Sequence, residues 1–143
     1  MRSNDVKVVQ LLSNTQKTAD AWTSYVDRAG YDKVTFIVSA NMTTADGSNY
    51  FTPVLKEATA SPAATGSYSS VDSSEIVNGA FAAIVATGVA TVQQCDYIGD
   101  ARYLSVFLDE TSTADGVFSV FAVLSGARKS PAEDQTVTTG TVS

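Results

Sequence analysis

The sequence predicts an all-β protein: a single-domain antiparallel β-sandwich, jelly-roll-like, with flexible N- and C-terminal arms. Three observations carry that expectation. Runs of β-branched and aromatic residues recur along the chain, separated by Gly, Asp, Asn and Ser. Several of these runs alternate with period two. Segments with helical character are few and short.

The first run is Val6 to Leu12, followed by Lys33 to Ala40, where Val34, Phe36 and Val38 alternate with Thr35 and Ile37. Tyr50 to Ala58 is the third, and Pro53 within it implies an edge position or a bulge, because proline cannot donate to a ladder. Val89 to Tyr97, Arg102 to Leu108 and Val117 to Ser125 complete the set. In the fifth run Leu104, Val106 and Leu108 share one face and Tyr103, Ser105 and Phe107 the other. The sixth is apolar on both faces, which predicts a central strand covered on both sides. Helical turns are expected at 14–25, capped by Asn14 or Thr15, and at 73–78. The alanines of 76–92 favour helix, but Gly79, Gly88 and the β-branched residues there oppose it. The organisation expected is a strand and arm over 1–30, a sandwich core over 31–126 and a polar tail over 127–143.

Composition excludes whole classes of chemistry. The chain has 143 residues, of which 44% are hydrophobic and 17% charged, too apolar for disorder and large enough for one core. It has no histidine, so Ser-His-Asp, Cys-His and His-ligated zinc schemes are absent. A single Cys95 allows neither an intramolecular disulfide nor a thiolate cluster, and without a histidine it reads as an inert thiol. The net charge of -6 opposes nucleic-acid binding. Asp5 and Lys7 fall where a secretory leader needs an unbroken apolar core. The longest apolar stretch, 76–92, is shorter than the ~20 residues of a spanning helix, so no membrane partner is expected.

No phosphate loop and no G-x-S-x-G elbow occurs. The acidic pairs Asp109/Glu110, Asp96/Asp100 and Glu133/Asp134 read as solvated surface carboxylates. No catalytic residue, metal ligand or cofactor is expected. Asp46-Gly47 and Asp115-Gly116 echo each other between β-rich runs and predict two hairpin turns with glycine at positive φ, in preference to calcium loops. Tyr97 and Tyr103 flank Gly99-Asp100, predicting a hairpin with an aromatic cross-strand pair, with Arg102 stacked on a ring or paired to Asp100 or Asp96.

The segment Tyr97-Ile98-Gly99-Asp100-Ala101-Arg102-Tyr103 leading into a strand resembles a pattern in small virion proteins of tailed bacteriophages. Gly30-Tyr31-Asp32-Lys33-Val34, Asp46-Gly47, Leu55-Lys56-Glu57-Ala58, Asn78-Gly79-Ala80-Phe81 and the stretch from Gly126 to Pro131 follow in the same order, so the likeness spans most of 30–131. The resemblance implies a non-enzymatic head decoration (cement) protein on the capsid exterior, made in the host bacterial cytoplasm. Its implied partners are the major capsid protein and further copies of itself as a dimer or trimer. A neck, adaptor or tail component is the alternative within the virion. A carbohydrate-binding module stacking sugars on Tyr97, Tyr103 and Trp22 is the alternative outside it.

Overall fold

The computed structural model describes residues 6–127 and 137–143. Among these, eleven strands form two antiparallel sheets: β1 (Lys7–Lys17), β2 (Ala21–Trp22), β3 (Tyr25–Asp27), β4 (Tyr31–Thr44), β5 (Tyr50–Ala58), β6 (Ser69–Ser70), β7 (Ile76–Val77), β8 (Ala90–Tyr97), β9 (Tyr103–Thr111), β10 (Asp115–Ala127) and β11 (Thr139–Gly140). The first sheet has the order β1-β10-β4-β8-β7 and the second β11-β3-β9-β5-β6, with β2 also on β9. Setting aside the two-residue strands β7 and β11 and taking β2–β3 as one interrupted strand, eight strands remain, β1-β10-β4-β8 in one sheet and β2/β3-β9-β5-β6 in the other, the arrangement of a jelly roll.

Period-two patterning builds the core. Phe118, Val120, Ala122 and Leu124 of β10 and Val34, Phe36 and Val38 of β4 are fully buried, facing Leu104, Val106 and Leu108 of β9. Phe51 and Phe118 meet edge to face across the two sheets, their centroids 5.0 Å apart. β10 lies centrally between β1 and β4, as its sequence predicts. Its other face is only half-buried, so the expectation of cover on both sides is corrected. β5 lies between β9 and the short β6, which pairs only with Lys56 and Glu57, so Pro53 has no ladder partner on that side. The carbonyls of Phe51 and Leu55 point away from β9, accepting from Ile84 and Val71, so the missing N–H of Pro53 points outward too.

Three expectations are corrected by tertiary pairing. Residues 14–25 are not helical. β1 continues to Lys17, with Thr15 and Gln16 paired to Phe118 and Val117. Asn14, read as a helix cap, instead takes φ 38° in a bulge and donates its N–H to Ser119 Oγ at 3.0 Å. The boundary expected at residue 30 is not a boundary of the sheets, since β1 and β3 belong to them. The end of the tail is also built in: β11 pairs with β3, and Ser143 exchanges backbone hydrogen bonds with Ala63 and Thr65. Residues 128–136 of that tail lie outside the described residues. The turn expected at 73–78 is a 3-10 helix at Ser73–Glu75 capped by Asp72, and 78–89 form no helix, with Asn78, Gly79 and Gly88 all at positive φ.

Truncating Phe118 to alanine should lower the unfolding free energy by about 3–5 kcal/mol in urea titrations, because its cavity opens between both sheets. Val92→Ser, exposed on the outer face, should change it by less than about 0.5 kcal/mol.

Candidate functional site

The segment singled out in the sequence, 97–103, carries the chain from β8 in one sheet to β9 in the other. It is therefore not a hairpin, and Tyr97 and Tyr103 do not pair. Tyr97 is buried, and its hydroxyl donates to Glu57 Oε2 at 2.7 Å while accepting the Ala101 N–H at 2.8 Å. Gly99 is required by crowding: a Cβ there would stand 2.5 Å from the Tyr97 hydroxyl and 2.8 Å from the Glu75 carboxyl carbon. Arg102 stacks on Tyr103 at 5.2 Å as expected, but its carboxylate partner is Asp27, held by two hydrogen bonds of 2.9 Å. Tyr103 meets Tyr25 edge to face at 5.9 Å.

Beside this crossing Glu57, Glu75 and Asp100 line a cleft of about 320 Å³ with Ser67 and Ser69. The pKa of Glu75 is raised by partial removal from water and then by the Glu57 charge. Arg28 donates to the carbonyls of Ala101 and Tyr31, its guanidinium 5.8 Å from the Tyr97 ring centre.

Asp96 was grouped with surface acids; the structure corrects that, for it is buried and fully engaged. Thr35 Oγ1 donates to it at 2.6 Å, Asn78 Nδ2 at 2.6 Å, and Lys33 Nζ lies 3.2 Å away. Burial alone would raise its pKa, but these hydrogen bonds and the Lys33 charge outweigh it and hold the carboxyl below its ordinary value. Asp27 follows the same balance, with Arg102 and the Ala29 N–H outweighing burial. Cys95, next to Asp96, has its thiol pushed up to about 11 by burial and then by the Asp96 charge, the state of an unreactive thiol.

Both Asp-Gly elements also lie at crossings between the sheets and make no hairpin. In the β4–β5 connection Asp46 accepts the N–H groups of Ser48 at 2.7 Å and Asn49 at 2.9 Å, while Gly47 has an ordinary φ. These bonds set its carboxyl below the usual range. Asp115 opens β10 and receives Gln16 Nε2 on both oxygens, at 2.8 and 3.0 Å. Gly116, also without positive φ, lies where a Cβ would be 2.5 Å from Met42 Sδ. The two connections are neighbours, since Asn49 Oδ1 accepts the Thr113 N–H at 3.1 Å. Among the described residues no three acidic or thiol side chains are placed to hold a metal ion.

The two outer faces differ. On the β9 face Trp22 packs against Phe107 at 4.9 Å and Tyr68 at 5.3 Å, and the 59–68 segment meets the chain end above them through the Ala63, Thr65 and Ser143 bonds. The rings of Trp22 and its neighbours are inclined at 52°, so they form no flat platform. The β10 face is half-buried to exposed except at Asp96, where Asn78 is bonded, and it runs in rows across four strands: Val8, Val123, Thr35 and Asp96, then Gln10, Phe121, Ile37 and Gln94, with Ser119, Ser39 and Val92 next.

Glu57 and Asn78 enter the sequence analysis only as members of motifs, with no role assigned, and Arg28 not at all; none of them has a local signature of its contacts. Asp96 did carry one, as an acid between Cys95 and Tyr97 in an apolar run.

No family model matches the chain, and no curated protein matches it. A solved structure of infectious bursal disease virus, Gt strain, contains a chain that aligns over 96% of this one with 8% identity and a TM-score of 0.34. This chain spans 44% of that one.

Acid and neutral pH should separate the two carboxyl environments. Folding raises the Glu75 pKa, so its contribution favours the fold at low pH and is lost as pH rises through the folded value. Glu75→Gln should therefore be more stable than the parent at pH 7, the difference fading in thermal melts below the carboxyl range. Asp96 is lowered, so its contribution is present at neutral pH and lost as pH falls through the folded value. Asp96→Asn should cost about 1–3 kcal/mol at pH 7, with the gap closing in acid.

Proposed function

We propose that this chain is a non-enzymatic structural component of a virion, a head decoration (cement) protein that bridges major capsid subunits on the exterior of a tailed bacteriophage. One observation carries the reading: the polar side chains gathered around the 97–103 crossing are engaged with one another or with the backbone. Tyr97, Arg102, Asp27 and Asp96 each make at least two of these contacts. Such groups tie sheet to sheet, and what the molecule then offers its surroundings is shape and surface.

That design suits a cement role. A protein that binds the assembled shell and not free subunits stabilises the shell by mass action. Repetition over many equivalent positions makes modest contacts strong together. A chain without histidine keeps its contacts constant near neutral pH. The ordered motif likeness to phage virion proteins supports the same reading. Burial of Tyr97 counts against the sugar-stacking alternative, which needs that ring exposed.

The test is to purify phage particles that carry the chain and to compare particles made without it. The protein should fractionate with filled heads, and particles lacking it should lose infectivity faster on heating or osmotic shock. Recovery only with tails or only in the lysate supernatant would overturn the decoration role.

A further inference from the structure

We propose that a pocket at the β5 edge of the sandwich binds a small aromatic alcohol, a single ring whose hydroxyl completes the backbone hydrogen bonding of Pro53 and Leu55. The pocket shares no lining residue with the carboxyl cleft beside the 97–103 crossing. The inference goes beyond the virion reading and stands without it.

The backbone supplies the polar part of the site. Phe51 accepts the Ile84 N–H at 2.8 Å and Leu55 the Val71 N–H at 3.0 Å, so the outer edge of β5 is held at two points. Between those points the chain crosses to β7 on the other sheet and returns, leaving no ladder at Pro53. The register of β5 on β9 runs unbroken from Tyr50 to Ala58, so residues 51, 53 and 55 turn their backbone groups to the same side. The Pro53 carbonyl and the Leu55 N–H therefore face the gap, and neither has a partner among the described residues. Pro53 is buried and Leu55 is 4% exposed. Backbone groups so placed are paired in folded proteins, with protein, water or ligand. One hydroxyl answers both, since it donates to the carbonyl and accepts from the N–H.

The rest of the pocket is apolar and sized for one ring. Its volume is about 150 Å³, and Val71, Ile76, Ala80, Phe81 and Cys95 line it together with the 52–55 edge. Val71, Ile76 and Phe81 are partly buried against the core, and Cys95 reaches the pocket from β8 in the opposite sheet. A carbon-lined cavity of about this size takes one benzene ring. No charged side chain lines it, so an ionic ligand would give up its water without compensation. An added peptide strand does not fit, because Phe51 to Leu55 offers only about 13 Å of edge, shorter than an ordinary strand. A neutral ring with one hydroxyl matches both halves of the site.

Titration of the purified full-length chain with phenol, followed by proton–nitrogen correlation NMR, tests this. Phenol should bind saturably in the millimolar range, shifting the amide signals of Leu55, Val71, Ile76 and Phe81. The Leu55 signal should move to lower field as its N–H gains an acceptor. Toluene has the same shape with a methyl in place of the hydroxyl, and should bind about tenfold more weakly because both backbone groups stay unpaired. A purely apolar cavity would reverse that order. Cys95→Leu carries extra carbon into the pocket and should abolish the phenol shifts with an unchanged far-UV circular dichroism spectrum. Ala80→Leu, at the exposed rim, should do the same and decides the matter if Cys95→Leu does not fold. A folded parent without saturable shifts at these residues overturns the proposal. Toluene binding as tightly as phenol, or phenol binding that survives in folded Ala80→Leu, also overturns it.

Discussion

The long antiparallel pairing of β4 with β10 is the constraint on which the rest of the molecule depends. It joins residues 31–44 to residues 115–127 along almost the whole length of both strands. Its inner face supplies half of the core, from Val34 to Ala40 and from Phe118 to Leu124. Because the partners lie far apart in sequence, the loop between them must close before any of that apolar surface is buried. Once it closes, β1 and β8 have edges to join, and β9 with β5 has a surface to cover. The polar ties then act at the ends of the sandwich. Tyr97 links β8 to Glu57 on β5, and Asn49 links the two neighbouring crossings at the other end.

Much of this was legible in the residues. The alternation of Leu104, Val106 and Leu108 located one inner face, and 50–58 was read with the bounds that β5 has. What local chemistry could not reveal was which sheet the next strand enters. Asp46-Gly47, Gly99-Asp100 and Asp115-Gly116 have the composition of hairpin turns, yet each lies where the chain passes between sheets. Two of those glycines are needed for close approach to Met42 and Tyr97, a requirement set by distant residues. The helix expected at 14–25 failed for a related reason. Its polar residues are paired on an edge strand, and pairing with β10 outweighs a weak local preference.

The charged residues divide by the same logic. Asp96 and Asp27 stand where burial would be costly, and each is matched by donors from other elements. Stacking of Arg102 on a neighbouring ring was one of the readings its sequence allowed, but Asp27, seventy-five residues away, had no local signal. Glu75 is the exception, its pKa raised by partial removal from water and by the Glu57 charge, so its contribution to stability responds to pH. With the polar groups committed in this way, the two outer faces are what distinguish the molecule: one aromatic and covered in part by its own chain, the other half-buried to exposed along β10 and its neighbours.

The most direct test of the proposed role is an electron cryo-microscopy reconstruction of an intact particle containing this chain. The account predicts jelly-roll density on the outside of the head, repeated on the local symmetry axes of the shell and touching more than one capsid subunit. Density confined to a ring on the neck or tail axis, or absent from the particle, would contradict it.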